Sequence, residues 1–371
     1  MKSGSVVIVG GGAAGCAAAH YLSNNGISSI IIDNRGIGQH ASGYAAGMLN
    51  PLNGSNIPGD LAEIALTSFR LHLSTWEELI ENTGIDFQPR AVTSLEVVFD
   101  NPSITTLGAT HDIFNSTNGF KSHWLTKSDL RGIEPRLSEK ITYALCLEGP
   151  AALDSLLFTK ALGQSAMNNK AEFLLANVTG VNIQNQNIVS VNTSKGEIPC
   201  AAVLFAGGPW SNLVGEWLGI RIPVKPLKGQ IIRTHVPDIV TPLPFDVSGK
   251  RVTIYQKPDK LIWIGSTEED LGFNTDITAG ASADLLRRAI DLMPDMQGAK
   301  IKRQTACLRP ITNDGLPILG SIPSLDNAWI STGAGKKGIL LSLSMGKSIA
   351  DLIANGSSNM AIEKFNLTRF L

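Results

Sequence analysis

Three glycines, Gly10, Gly12 and Gly15, stand in the spacing G-x-G-x-x-G, and an acid, Asp33, follows 18 residues after the last of them. Glycines in that pattern permit a tight turn and let a backbone approach a pyrophosphate. The free N–H groups and the positive dipole end of a following helix then face the phosphates. A carboxylate at the end of the next strand accepts hydrogen bonds from a ribose diol. Ala13 and Ala14 at the helix start and Asn34 and Arg35 beside the acid belong to the same candidate site. The pattern indicates a dinucleotide and leaves open whether its reactive end is a flavin or a nicotinamide. Residues 39–51, rich in Ser, Gly and Ala, either line a flat ring with backbone N–H groups or form an ordinary turn. Glycines recur at Gly207 and Gly208, and again at Gly333, Gly335 and Gly338, where a strand end, a loop and a helix start make a second dipole-bearing site.

The elements that must position these residues are legible locally. The β-branched run at residues 5–9 predicts a buried strand, residues 13–25 an Ala-rich helix stopped by Gly26, and residues 28–33 a second buried strand, together a βαβ unit. Residues 60–82 read as an amphipathic helix with Asp60 and Glu63 as a capping pair and an apolar stripe of Leu61, Ala65, Phe69, Leu73, Trp76 and Ile80. Residues 91–150 read as short strands and turns, 187–206 as one hairpin about Ser194-Lys195-Gly196, and 222–275 as strand-rich. Helices are predicted at 279–293 and 338–355. Glycine-ended strands near 10, 207 and 333 imply one nucleotide-binding domain assembled from separated stretches. The boundaries drawn are 1–55, 140–220 and 300–371 for that domain, and 56–139 with 221–299 for a β-rich substrate domain.

Composition narrows the classes. A chain of 371 residues suggests about two domains, and 43% hydrophobic residues exclude disorder. Lys and Arg number 31 against 32 Asp and Glu, so no nucleic-acid partner is expected. No apolar run reaches the ~18 residues of a membrane helix. Glycines at 10–12 interrupt the first apolar stretch, which therefore does not read as a signal peptide. Cys16, Cys146, Cys200 and Cys307 form no C-x-x-C pair, so reduced thiols, a cytoplasmic location and no metal site are expected.

The chain resembles the D-amino-acid oxidase superfamily of FAD-dependent oxidoreductases, and within it the glycine oxidase branch of the thiamine pathway. The resemblance rests on VVIVGGGAAGCAAAHYL at the start, ASGYAAGMLNP at 41–51, KPLKGQ at 225–230, IGSTEEDLGF at 264–273, LRPITNDGLPILG at 308–320 and STGAGKKGILL at 331–341. These segments span nearly the whole chain in family order. It implies an α/β fold in which a Rossmann-type FAD-binding domain is interleaved with a β-rich α+β substrate domain.

It also implies non-covalent FAD. Gly10, Gly12 and Gly15 would hold the pyrophosphate and Asp33 the adenosine ribose. Ser42, Ala45, Ala46, Gly47 and Met48 would lie beside the flavin, and the backbone of Val178 would meet the adenine. Gly333, Gly335, Gly338, Ile339 and Leu340 would face the pyrimidine edge, with Gly207, Lys336 and Lys337 in the neighbouring loops. Arg309 would pair with a substrate carboxylate, a guanidinium offering two parallel charge-assisted hydrogen bonds; the competing reading pairs it with Asp314.

Two departures stand out. Thr253 occupies the position of the branch's substrate-contacting tyrosine, and Tyr255, two residues on, either replaces that hydroxyl or packs. Ala334 and Lys336-Lys337 replace the usual His and Arg-Asn of the last glycine loop. His40 does not sit at a flavin-linking offset.

The expected reaction oxidises a small amino acid or secondary amine by hydride transfer to flavin N5, giving an imine that hydrolyses. Oxygen or another acceptor would take the electrons. Two alternatives remain beside it: a larger amine such as an aminomethyl-uridine of tRNA, and a non-catalytic FAD-binding protein. Homo-oligomerisation is left open.

Overall fold

The structure is a computed structural model and describes residues 4–99, 101–237 and 241–371, side chains excepted at 101–106. It divides into two compact units: residues 1–89, 153–227 and 308–371 in one, and 90–152 with 228–307 in the other.

The first unit is built on a six-stranded sheet. Its central strand β1 (Val6–Val9) is buried along its whole length, as a strand covered on both faces must be. It is followed by helix α1 (Ala13–Asn24) and strand β2 (Ser29–Asp33). Further along come helix α2 (Ala62–Thr83), helix α3 (Ser155–Asn168), β3 (Ala171–Leu175), β4 (Ala202–Phe205), β5 (Ile318–Ser321), β6 (Ala328–Thr332) and helix α4 (Gly338–Asn355). The strand order is β5-β6-β4-β1-β2-β3. β1 pairs parallel with β2 and with β4, and β4 parallel with β6, while β5 is antiparallel to β6. The glycine-ended strands β1, β4 and β6 are thus neighbours, aligned at their C-terminal ends, where open α/β sheets bind ligands.

Helix α1 packs between α4 and α3. Contact with α4 requires Gly346, where a Cβ would lie 2.5 Å from that of Ala17. Val7 and Ile8 are fully buried, each contributing about 1.5–3 kcal/mol of apolar burial. A three-stranded antiparallel sheet, Val178–Gln184, Asn187–Thr193 and Gly196–Pro199, shares a core with the main sheet through Ile188, Val191 and Ile198.

The second unit carries an eight-stranded sheet, in the order Lys300–Thr312, Val224–His235, Ile262–Gly265, Val252–Gln256, Asp246–Gly249, Ser94–Val98, Tyr143–Glu148 and Lys121–Thr126. Helix Ala279–Leu292 covers one face, burying Leu285, Ala289 and Leu292 against Ile232, Ile254 and Ile264. Among the described residues no helix is long and apolar enough to cross a membrane.

The structure corrects several sequence expectations. α2 begins after Leu61, which caps it without a side-chain bond, so Asp60 and Glu63 form no capping box. Leu61, Ala65 and Phe69 of the expected stripe are buried, but the buried face also takes in Ile64, Ser68, His72 and Leu79 and leaves Leu73 51% exposed. Residues 91–150 contain two helices, Asn101–Ser116 and Lys127–Ile133. The expected hairpin at 187–206 divides: Gly196–Pro199 returns along Asn187–Thr193, while β4 leaves to join the main sheet. α2 packs on α3 and α4 and so falls in the first unit, whereas Tyr143–Glu148 pairs with Ser94–Val98 and falls in the second. The boundaries drawn at 56 and 140 differ on both points.

Candidate cofactor site and its glycine loops

The first glycine loop is closed by backbone approaches that no side chain tolerates. Gly10 has φ +118°, and a Cβ there would lie 2.3 Å from the Ala206 carbonyl oxygen. A Cβ on Gly15 would lie 2.1 Å from the Gly10 oxygen. α1 can therefore start directly at the end of β1, with Gly12 at its cap and no cap bond from a side chain of that residue. The Ala13 N–H donates to Ser42 Oγ at 2.9 Å, joining the pyrophosphate-type loop to the segment after β2.

Asp33 ends β2. Its Oδ2 accepts from the Gly11 N–H at 2.9 Å, and its Oδ1 from Arg35 N–H at 2.8 Å and Gly36 N–H at 3.0 Å. The carboxylate is thus fixed beside the glycine loop. Asn34 Oδ1 accepts from His40 Nε2 at 3.1 Å. His40 stacks edge-on to Trp210, and burial, reinforced by Arg35 and opposed by Asp33, lowers its pKa. Val178 opens the three-stranded sheet just after Ala176, whose N–H donates to the Asp33 carbonyl at 3.0 Å.

Residues 41–49 form a single helical turn, Ala41–Tyr44, and a short strand, Met48–Leu49. Ser155 Oγ donates to the Ala45 carbonyl at 2.7 Å. Gly47 has φ +75°, and a Cβ would lie 2.0 Å from Leu153 O. Gly43, which sequence reasoning passed over, is under the same constraint, 2.1 Å from Gly38 O.

The third loop lies at the end of β6. Gly333 and Gly335 both have positive φ, and one 3-10 turn, Gly335–Lys337, leads into α4 at Gly338. Thr332 Oγ1 lies 2.8 Å from Ser211 Oγ, and the two hydroxyls lie 3.1 and 2.7 Å from the Gly208 carbonyl oxygen, so their two protons are shared among these contacts and tie the β6 end to the β4 end. Lys337 Nζ donates to the carbonyls of Asn53 (2.6 Å) and Asn50 (3.1 Å), holding the loop to the segment after Met48. His72, also missed from the sequence, donates from Nε2 to the carbonyls of Ile339 (3.0 Å) and Leu340 (3.2 Å) in the first turn of α4.

Arg309 belongs to this unit. Two residues after it, Ile311 forms a β-bridge with Ala334, so the strand bearing Arg309 runs beside the third glycine loop. Asp314 is engaged by Arg369, at 2.8 Å from Nε and 3.4 Å from Nη2.

The second unit unites two motifs read separately in the sequence. Lys228 and Glu269 exchange backbone hydrogen bonds at 3.0 and 2.9 Å. The fully buried Lys228 ammonium donates to Asn274 Oδ1 at 3.1 Å and lies 3.8 Å from Glu269 Oε2; Gln230 donates to Glu269 Oε1 at 2.9 Å. A buried ammonium needs such partners. Thr253 and Tyr255 share the face of Val252–Gln256 opposite to the core residues Val252 and Ile254. Thr253 Oγ1 bonds Ser248 Oγ at 2.9 Å, and the buried Tyr255 ring lies 6.2 Å from that of Trp263. Asp246 is buried as well. That burial, opposed by Lys257 and Arg90, raises its carboxyl to about 6.

The cradle fits a dinucleotide: Gly10 and Gly15 cannot take a side chain, and the Gly12 cap of α1 makes no side-chain bond to the helix's first turn, whose Ala13 N–H meets the Ser42 hydroxyl. Comparison with known proteins agrees. The family model described as FAD dependent oxidoreductase matches residues 5–352. The chain is 30% identical over 370 residues to a glycine oxidase of Geobacillus kaustophilus, covering 99% of this chain and 97% of that one. It is 31% identical over 322 residues to hydrogen cyanide synthase subunit HcnC of Pseudomonas aeruginosa, covering 85% and 75%. The crystal structure of glycine oxidase from Geobacillus kaustophilus superposes with a TM-score of 0.92 at 29% identity over 99% of both chains.

Proposed function

Because the chain belongs to the FAD-dependent oxidoreductase family, and FAD is therefore its cofactor, we propose that it oxidises a small amino acid or secondary amine of the glycine, sarcosine or D-amino-acid type. The observation that carries this reading is the Ile311–Ala334 bridge, which runs the Arg309 strand along the third glycine loop.

In this reading Gly10, Gly12 and Gly15, with Ala13 and Ala14, hold the pyrophosphate, and Asp33 with Asn34 and Arg35 the adenosine ribose. Val178 meets the adenine. Ser42, Ala45, Ala46, Gly47 and Met48 lie beside the ring, and Gly333, Gly335, Gly338, Ile339 and Leu340 face its pyrimidine edge, with Gly207, Lys336 and Lys337 in the neighbouring loops. The bound cofactor supplies an acceptor for the hydride of the substrate α-C–H bond. Arg309 takes the substrate carboxylate in two charge-assisted hydrogen bonds and so fixes the orientation of the α-carbon. The first turn of α4 directs N–H groups and its positive dipole end toward negative charge. The resulting imine hydrolyses in water to an oxo acid and ammonia or an amine. Similarity to a glycine oxidase over nearly the whole chain supports the substrate class.

The test is anaerobic addition of glycine, sarcosine, D-alanine, D-proline and L-proline to the yellow protein. Bleaching of the flavin band by at least one is expected, and readmitted air then shows whether oxygen is the acceptor. A flavin band unchanged by all five overturns the assignment.

A further inference from the structure

We propose that His123, Cys146 and Glu148, on two neighbouring strands of the second unit, form a binding site for a divalent cation of the zinc class. The ladder between Lys121–Thr126 and Tyr143–Glu148 sets His123 directly opposite Cys146. Glu148 follows Cys146 by two residues on the same strand, so all three side chains leave the same face of the sheet. Their ligand atoms lie within 4.8 Å of one another, and His123 Nδ1 is 3.6 Å from Glu148 Oε1.

Tetrahedral zinc with nitrogen, sulfur and oxygen ligands has ligand–ligand edges of roughly 3.3–3.7 Å, given bond lengths of about 2.0–2.3 Å. The sulfur is fixed, since Cys146 is 3% exposed. The other two ligands can adjust: the His123 and Glu148 side chains are 52% and 47% exposed. Small rotations of those outer side chains bring the set to bonding distance around one ion, with a water in the fourth position.

The donor set suits a borderline cation. One thiolate, one imidazole and one carboxylate select against calcium and magnesium, which take oxygen ligands. As the metal–sulfur bond forms the Cys146 thiol proton passes to solvent, and the cation balances the charge of the thiolate left behind. No oxidation state changes. Lys121 stands opposite Glu148 in the ladder. The sequence alone gave no sign of this set, because its spacing lies across two strands and not along one.

Cobalt(II) added to the FAD-loaded protein is the probe. Tetrahedral cobalt gives ligand-field bands at the red end of the visible spectrum, clear of oxidised flavin, and a thiolate ligand adds a charge-transfer band visible in the difference spectrum. Binding of one cobalt per chain with both features is expected, and zinc should displace it. Cys146→Ser should remove the charge-transfer band. His123→Ala, a substitution at an exposed position that leaves the core intact, should weaken cobalt binding at least tenfold. Cobalt that keeps the weak spectrum of its hydrated ion under excess metal overturns the proposal, as do bands that both variants leave unchanged.

Discussion

A Cβ on Gly15 would lie 2.1 Å from the carbonyl oxygen of Gly10, so strand β1 and helix α1 meet at a distance that only hydrogen at position 15 permits. The Ile8 side chain lies 3.2 Å from the same point and closes the remaining direction of escape. Gly15→Ala must therefore push the helix start away from the strand end. The variant is expected to bind FAD at least about tenfold more weakly, a loss of ~1.4 kcal/mol. Flavin content on purification and a reconstitution titration would measure this, with far-UV circular dichroism confirming that the fold is kept. A Gly15→Ala protein that carries stoichiometric FAD would remove the pyrophosphate role from this loop.

Arg309 offers a sharper test of chemistry. Hydrogen bonds to charged groups contribute about 1.5–3 kcal/mol each, so losing a two-bond carboxylate clamp is expected to lower kcat/KM roughly 10²–10³-fold or more. Arg309→Leu should retain FAD and lose rapid flavin reduction by the amino acid found in the anaerobic titration. Arg309→Lys should recover part of the rate, since an ammonium keeps the charge and loses the planar fork. An amine without a carboxylate should be turned over equally by wild type and variant. If the variant lost both substrates to the same extent, Arg309 would be acting on something other than the carboxylate.

Lys337 and Gly54 depend on each other. The lysine passes over Gly54 to reach the carbonyls of Asn50 and Asn53, and a Cβ at Gly54, whose φ is +132°, would lie 2.5 Å from Lys337 Cε and Nζ. Lys337→Met deletes two charge-assisted hydrogen bonds and is expected to destabilise the protein by about 1–3 kcal/mol. Gly54→Ala should act in the same direction by displacing the lysine. Because both act on one contact, the double variant should lose less than the sum of the two, which denaturant unfolding of all four proteins would measure. Strict additivity would show that the two positions are independent.

Local signals in the sequence predicted what local physics determines. The β1-α1-β2 unit, the glycine loops and helix α4 are set by short-range patterns: β-branched runs, positive-φ glycines and apolar periodicity. Helix Asn101–Ser116 was not read because Thr, Ser, Asn and Gly108 are poor helix formers, and only its packing on neighbouring strands makes it helical. The start of α2 at Ala62 is likewise a tertiary choice, with Leu61 buried at the cap where Asp60 had the better capping chemistry. At the site, the glycines at the three strand ends were legible, whereas Gly43 and the contacts that fasten the loops were not. Lys337 finds its acceptors 284 and 287 residues away and His72 its carbonyls 267 and 268 away. No spacing rule reaches that far.

His72 gives the fold a pH dependence whose sign can be worked out. The ring is fully buried, donates from Nε2 to two carbonyls, and leaves Nδ1 without a hydrogen-bond partner. Burial lowers its pKa from 6.5 to about 4, against a smaller opposite pull from the carbonyls of Ile339 and Leu340. Between those two values the unfolded chain binds a proton that the folded chain refuses, so stability rises with pH across that window. The contribution is complete above pH 6.5 and is lost as pH falls toward 4. His72→Gln keeps a donor for the carbonyls and removes the titration. Comparing the two proteins isolates the effect, because His20, which shifts in the same direction, and Asp246, which shifts in the opposite one, are present in both. Urea unfolding at pH 7.5 and 4.5 should show the wild type losing about 2–3 kcal/mol more than His72→Gln. Equal losses would mean that the His72 pocket admits a proton, and with it water, beneath the first turn of α4.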